Sequence, residues 1–297
     1  MKIKSLFATF FIVTIFSVSC EKEAIKVDST ITDEELAIVS DEVIADLAFA
    51  DLLDEGDDGT FWGDDAVMSL KSASLEMGTC PARTVIWEDN KKTVIREFSG
   101  EDCDKSGTII IEFFKPTDSD PFKKKTITFE DFTKNGVTYN GSKEITKGND
   151  NYNIKCEMEI DKVNQEGDSV HISRSYQRQV HWLCGLDTRD YVEDNIKKVT
   201  GSAEVTRTVN GVETTFSRQI LSPLLIVRAC DLKIQAGTVK ITKRDGTEIK
   251  IDYGQMPDEI DCDVDFECGT TFEVTKGDET FTMELVDGER VRQSDSE

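Results

Sequence analysis

A series of β-strand patterns separated by tight-turn signals constrains the fold of this chain more than any other feature. From Cys80 onward, segments such as residues 238–242 and 248–253 alternate apolar with polar side chains and are rich in β-branched residues. Two-residue hairpin signals separate several of them: Asn135-Gly136, Asn210-Gly211, Asp245-Gly246 and Gly277-Asp278. About a dozen strands joined in this way predict a mainly β domain, an antiparallel sandwich or a strongly curved sheet. We place it over residues 80–286, followed by a polar tail over residues 287–297.

One amphipathic helix is predicted ahead of the sheet. Thr32 and Glu35 have the spacing of a helix capping box. Apolar residues follow at helical spacing: Leu36, Val39, Val43 and Leu47. An acidic stretch containing two glycines ends the helix, and residues 32–79 are interpreted as this helix and an acidic link with an apolar anchor at Phe61-Trp62. The helix could dock on a partner or on the β domain of its own chain, and docking within the chain is expected.

The first residues predict export and lipidation. Lys2 and Lys4 precede an apolar run over residues 6–18, which is shorter than the roughly 20 residues that a membrane-spanning helix needs. The small residues before Cys20 resemble the bacterial lipobox, although Ser17 stands where that motif has leucine. We therefore expect residues 1–19 to be a cleaved signal peptide, Cys20 to carry the lipid anchor, and residues 20–31 to form a polar tether.

Composition excludes one class of partner. The chain has 59 acidic against 35 basic residues and a net charge of −24. Affinity for nucleic acid comes from clustered cations, so a chain of this composition is not expected to bind nucleic acid.

The cysteines predict disulfides in an oxidising compartment. Of eight cysteines, seven remain if Cys20 is lipidated, so at least one is left without a partner in the chain. A weak internal repeat relates residues 80–104 to residues 230–263, because each unit begins with a cysteine and ends with a Cys-Asp pair. The repeat predicts the disulfides Cys80–Cys103 and Cys230–Cys262. Three cysteines are then left over: Cys156, Cys184 and Cys268.

No catalytic residues and no cofactor are predicted. The two histidines, His171 and His181, lie ten residues apart in one strand pattern, where they can share a sheet face, and no nucleophile motif accompanies them. A run of alternating acids supplies weak calcium candidates: Asp261, Asp263 and Asp265. Side chains along a straight strand diverge too far to enclose one ion, so a solvated acidic face is the favoured interpretation and no metal site is expected.

Several strand starts and turns carry a resemblance to a family. They are Cys80-Pro81, Cys262-Asp263 and residues 106–111, 135–143, 199–203, 237–241 and 251–254. Over residues 80–282 the chain resembles a group of Bacteroidota lipoproteins of undefined function. The resemblance implies an all-β fold and assigns no catalytic residue. The acidic Glu21-Lys22-Glu23 also resembles the tether that directs Bacteroidota lipoproteins to the cell surface.

Together these features predict a lipoprotein anchored in the outer membrane, at the cell surface rather than on the periplasmic face. We expect a non-enzymatic binding or structural component of an envelope assembly. Its partners would be the membrane, through the lipid anchor, and outer-membrane proteins. Two alternatives stay open at this point: a periplasmic carrier of a lipid or another apolar ligand, and a glycan hydrolase that uses two carboxylates.

Overall fold

The computed structural model describes residues 30–56, 61, 63, 80–100, 103–148, 151–164, 167–185, 195–262, 266–286 and 290–293. These ranges contain one helix, α1 (Asp33–Gly56). Their strands are β1 (Ala82–Trp87), β2 (Lys91–Phe98), β3 (Lys105–Phe114), β4 (Lys124–Lys134), β5 (Val137–Lys147), β6 (Tyr152–Val163), β7 (Ser169–Cys184), β8 (Ile196–Val209), β9 (Val212–Val227), β10 (Ile234–Lys243), β11 (Glu248–Asp252), β12 (Thr271–Lys276), β13 (Glu279–Val286) and β14 (Arg290–Gln293).

The strands form one antiparallel sheet that is not closed. Each strand pairs with the next one in the chain, from β1 to β14. The predicted mainly β fold is confirmed, and of its two architectures the single curved sheet is the one found. The predicted polar tail is wrong in part, because β14 pairs with β13 and the side chain of Val291 packs against the core.

Tight turns close the sheet at one end, which we call the hairpin end. It holds the turns at residues 135–136, 164–168, 210–211, 244–247 and 277–278. Asn135, Gly136, Asn210 and Gly211 all have positive φ, as a type I′ hairpin turn requires. The strands on either side of all four predicted turns pair directly with each other, which confirms the four predicted hairpins. The hairpin end also holds the six-residue connection at residues 99–104. The other end, which we call the loop end, holds short connections at residues 88–90, 148–151 and 287–289 and longer ones at residues 115–123, 185–195, 228–233 and 253–270.

The sheet curves around α1. On the helix, Asp41 contacts Lys162 of β6 and Glu35 contacts Lys276 of β12. In a flat sheet these two strands would lie about 29 Å apart at the usual 4.8 Å spacing, whereas a helix with its side chains is about 10 Å wide. The strands must therefore bend around the helix. We call the face that packs on α1 the inner face.

Glycines inside the strands allow this bending. Gly141 and Gly201 have positive φ, and a Cβ on either would lie 2.2 or 2.1 Å from a carbonyl oxygen of the neighbouring strand. The pairing of β8 with β9 also shifts register between Val199 and Ser202, on either side of Gly201. Such irregularities bend a strand and increase its twist, so these positions are where the sheet coils.

One hydrophobic core fills the space between the sheet and the helix. It joins apolar side chains of α1, such as Ile38 and Val43, to inner-face residues of β1–β13. β6 and β7 alternate buried with exposed residues over most of their lengths. A smaller apolar cluster lies at the loop end, where Met256, Ile260 and Phe266 pack against residues of β7–β10 and Cys230.

The disulfides confirm one predicted pair and correct the other. Cys80–Cys103 forms as predicted, with Cα atoms 5.7 Å apart. The predicted pair Cys230–Cys262 is wrong, because Cys262 bonds Cys184 and Cys230 bonds Cys268. The cause is the connection at residues 253–270, which packs on the loop end instead of continuing as a hairpin. The repeat on which that pairing rested loses its support. Cys156 is buried as a free thiol.

Candidate functional site

Acidic side chains of α1 are buried against basic side chains of the sheet. Asp41 lies 2.5 Å from Arg207 Nε and 2.6 Å from Lys162 Nζ. Asp46 lies 2.6 Å from an Nη of Arg178, and it also pairs with Arg218.

Glu42 and Arg174 complete this group. Glu42 lies 3.2 Å from Arg174 and 3.3 Å from Arg218 Nε, and Arg174 lies 3.4 Å from Asp46. Three strands, β7, β8 and β9, therefore supply the arginines that meet one helix. We call the group of Asp41, Glu42, Asp46, Arg174, Arg178, Arg207 and Arg218 the helix–sheet ion cluster.

Strand periodicity places the arginines inside. Arg174 and Arg178 share the phase of buried apolar residues in β7: Ile172, Tyr176 and Val180. Arg218 occupies the same kind of position between Phe216 and Ile220 in β9. On the helix, Glu42 and Asp46 are four residues apart and so share a face. Sequence reasoning missed these residues, yet an arginine in the apolar phase of a strand is a signal that could have revealed them.

The cluster separates the pKa values of its two central carboxyls. Burial acts to raise the pKa of Asp46, but Arg218, Arg178 and Arg174 together outweigh it and hold that pKa at about 2. Burial raises the pKa of Glu42, and its arginine neighbours only partly offset this effect. Asp46 is therefore the carboxylate that holds the cluster together, whereas the charge on Glu42 is disfavoured.

Several buried polar atoms of this region make no hydrogen bond within the described part of the chain. They are Glu42 Oε2, Arg174 Nε, Arg218 Nε and Nη1, and the hydroxyl of Tyr253. Burial raises the pKa of Tyr253, so its hydroxyl stays protonated. Most buried polar groups in proteins are hydrogen-bonded. Here Asp41 and Asp46 accept hydrogen bonds from Arg207 and Arg178, whereas the atoms named above are joined to the cluster by charge alone or not at all.

The start of α1 is fixed at the hairpin end. The predicted capping box is confirmed, because the Thr32 amide donates to Glu35 Oε2 and the Glu35 amide donates to Thr32 Oγ1. Lys276 Nζ lies 2.8 Å from Glu35 Oε2 and also donates to the carbonyl oxygen of Thr30. These contacts outweigh the burial of Glu35 and lower its pKa. The expected docking of the helix within its own chain is confirmed.

Lysines and aromatic rings line another part of the interior. Lys92, Lys125 and Lys143 are buried, and their ammonium groups lie 4.0 Å from the ring of Trp87, 4.7 Å from that of Phe61 and 5.5 Å from that of Phe129. Burial lowers the pKa of Lys92 to about 8.

Of the two residues of the predicted apolar anchor, Phe61-Trp62, the burial of Phe61 is confirmed. Its ring is fully buried and stacks on Tyr152 at a centroid distance of 5.5 Å. Trp62, the other half, lies outside the described residues.

The remaining sequence-predicted residues do not meet in a site. Cys20, Asp263 and Asp265 lie outside the described residues, and Asp261 is exposed. His171 and His181 both project from the outer face of β7, and His171 Nδ1 lies 2.8 Å from Asp161. Within the ranges that the structure describes, no three histidine, cysteine or acidic side chains are grouped so that they could hold a metal ion.

A depression of about 320 Å³ lies on the outer face near Gly237. Its lining includes Lys198, Thr238, Met256 and one carboxylate, Asp252. Asp252 accepts hydrogen bonds from Lys250 and from the amide of Gly254. A two-carboxylate mechanism needs a second acid facing the first, and the described lining does not supply one.

Comparisons with known proteins identify no relative. No protein-family model, no curated protein and no solved structure matches this chain. Of the helical residues that the structure describes, none belongs to a helix long and apolar enough to cross a membrane.

Proposed function

We propose that this protein is a lipoprotein anchored in the outer membrane through Cys20 and exposed at the cell surface, where it is a non-enzymatic binding or structural component of an envelope assembly. One observation carries the proposal. Helix α1, which follows the tether directly, is bound inside the sheet by the helix–sheet ion cluster.

This arrangement joins the tether firmly to the β domain. Asp41 and Asp46 are ion-paired with arginines of three strands, and the capping residue Glu35 is bonded to Lys276 at the hairpin end. Removing one partner from a buried ion pair costs about 3–5 kcal/mol, so the helix resists being pulled out. A component held by its N-terminal lipid needs such a connection. The outer face and the two ends of the sheet are left for partners.

Sequence features support the location. The short apolar run before Cys20 has the form of a lipoprotein signal, and Glu21-Lys22-Glu23 supports export to the cell surface. The resemblance to Bacteroidota lipoproteins supports the same assignment, and outer-membrane proteins are the candidate partners.

No specific observation favours the two alternative functions. A carrier of an apolar ligand would need the space beneath the sheet that α1 fills with ion pairs. A glycan hydrolase would need two facing carboxylates in a cleft, and Asp252 is the one carboxylate in the described lining of the outer depression. Both alternatives are therefore less well supported than a binding or structural role.

Cell fractionation tests the proposal. We expect the wild-type protein in the outer-membrane fraction and digestible by protease added to intact cells. Cys20→Ala should remove it from that fraction or leave it held by an uncleaved signal peptide. Cys156→Ala, which removes the free buried thiol, is the control and should stay in the outer membrane. A Cys20→Ala variant that is processed and still retained there like the wild type would overturn the proposal.

A further inference from the structure

The tether leaves the domain at the hairpin end. Lys276, next to the β12–β13 turn, donates to the carbonyl oxygen of Thr30 at 2.8 Å. Thr214, near the β8–β9 turn, donates to Glu34 at 3.0 Å. Lys243, near the β10–β11 turn, lies 3.6 Å from Glu35. Three neighbouring hairpins thus surround the point where the tether meets α1.

The length of the tether limits how the domain can lie on a membrane. Ten residue steps separate Cys20 from Thr30, and a fully extended chain covers at most about 36 Å in ten steps. β7 has 16 residues and extends for roughly 53 Å from the hairpin end to the loop end. The tether is therefore too short to run the length of β7, so the loop end cannot be the end that rests on the membrane.

Exposed apolar side chains stand at this same end. Val163, at the end of β6, is 65% exposed, and Val212, at the start of β9, is 70% exposed. They are the two most exposed large apolar side chains in the described part of the chain. Three strand spacings separate β6 from β9, so the two valines lie about 14 Å apart along the sheet. The two exposed valine side chains lie at the end of the sheet where the tether meets α1.

We infer that the hairpin end is a membrane-contact surface, with Val163 and Val212 touching the bilayer that holds the Cys20 anchor. The loop end, with its two disulfides and the 253–270 connection, then points away from the membrane. This inference rests on the proposed function, because it takes Cys20 as the point of attachment. The partner surface is the neutral headgroup layer of a bilayer, since a chain of net charge −24 is repelled by anionic lipid.

Photocrosslinking in vesicles tests the inference. The lipidated protein is placed in phosphatidylcholine vesicles that contain a phospholipid with a photoreactive headgroup, and the crosslinked peptides are mapped by mass spectrometry. We expect peptides with Val163 and Val212 to carry several-fold more adduct than peptides with Ile86 and Phe122. Ile86 and Phe122 are matched controls, because they are 45% and 56% exposed and lie toward the loop end.

A paired substitution sharpens the test. Val163→Asp with Val212→Asp should lower the adduct yield at the hairpin end, whereas Ile86→Asp with Phe122→Asp should leave it unchanged. Equal adduct at the two ends, or more at the loop end, would overturn the inference. If the mature protein carries no acyl chain, the proposed function fails by itself. The orientation is then measured on protein coupled through Cys20 to a maleimide phospholipid, so the two failures remain distinguishable.

Discussion

The two ends of the sheet are connected in different ways. At the hairpin end, short turns join most strands, and the start of α1 is bonded to residues beside three of those turns. At the loop end, long connections are held by Cys184–Cys262, Cys230–Cys268 and a small apolar cluster. The hairpin end thus combines local turn conformation with the bonds to α1 and the Cys80–Cys103 disulfide, whereas the loop end depends on two disulfides that close longer loops.

This difference shows which end of the sheet tolerates changes of amino-acid sequence. A turn of two residues with positive φ tolerates little change, whereas a long connection pinned by disulfides can accept new residues while its cysteines stay in place. In the proposed orientation the short turns would face the membrane. The loop end would supply the surface on which partners are recognised.

The largest expected effect comes from the disulfides. The chain-entropy model gives about 4.5 kcal/mol for a loop as long as that closed by Cys184–Cys262 and about 3.4 kcal/mol for one as short as that closed by Cys80–Cys103. Cys184→Ala with Cys262→Ala should therefore lower the free energy of unfolding more than Cys80→Ala with Cys103→Ala. Denaturant unfolding of the two double variants measures the order. If removal of Cys80–Cys103 lowered the free energy of unfolding more, the loop end would not be the end that its disulfides stabilise most.

The ion cluster joins α1 to three strands of the sheet, and Asp46 is its most sensitive member. Asp46→Asn removes the carboxylate that faces three buried arginines and should lower the free energy of unfolding by about 3–5 kcal/mol. Glu42→Gln is the matched control, because burial already disfavours the charge on Glu42 and its loss should be smaller. Urea titration followed by circular dichroism measures both. Equal losses would show that the two acids contribute alike.

Acid should weaken the same cluster. The pKa of Asp46 is about 2 in the folded protein, and an aspartate in an unfolded chain has a pKa of about 3.9. The unfolded chain therefore binds this proton first as the pH falls. The stability that Asp46 contributes is complete above about pH 5, and most of it is lost between about pH 4 and pH 2. The unfolding free energy of Asp46→Asn should fall less steeply across this window, whereas that of Glu42→Gln should keep the wild-type slope.

A smaller effect is expected at one turn. Gly211 at the hairpin end has a φ of +80°, and a side chain in this conformation costs about 1–2 kcal/mol. Gly269 at the loop end has ordinary φ, and an added Cβ there would lie 3.6 Å from Gln235 Oε1, an ordinary contact. Gly211→Ala should therefore lower the midpoint of thermal unfolding, and Gly269→Ala should leave it nearly unchanged. The reverse order would contradict the contrast between the ends.

The hairpin end was predictable from the sequence because its signals are local. Asn135-Gly136 and Asn210-Gly211 adopt the conformation that their residue types favour, and Thr32 and Glu35 form the capping box that their spacing indicates. Each of these features depends on residues a few positions apart. The curved sheet was one of two architectures left open, because strand patterns alone do not show how far a sheet bends.

The loop end and the ion cluster depend on distant contacts, which local patterns do not contain. Cys262 pairs with Cys184 because residues 253–270 pack back on the loop end, and no turn signal indicates that path. On an amphipathic helix the acidic residues are expected on the face exposed to solvent. Glu42 and Asp46 of α1 are nevertheless buried. Their burial follows from arginines in the apolar phase of β7 and β9, a pattern that becomes informative only when helix and strands are considered together.

The intact mass of the purified mature protein shows whether Cys20 is the lipid anchor. We expect a chain that begins at Cys20 and carries added acyl chains on that residue. Cys156→Ala should show the same modification, since the buried thiol has no part in anchoring. A mature chain that begins at Cys20 or later with no acyl group would contradict the lipid anchor and, with it, the proposed function.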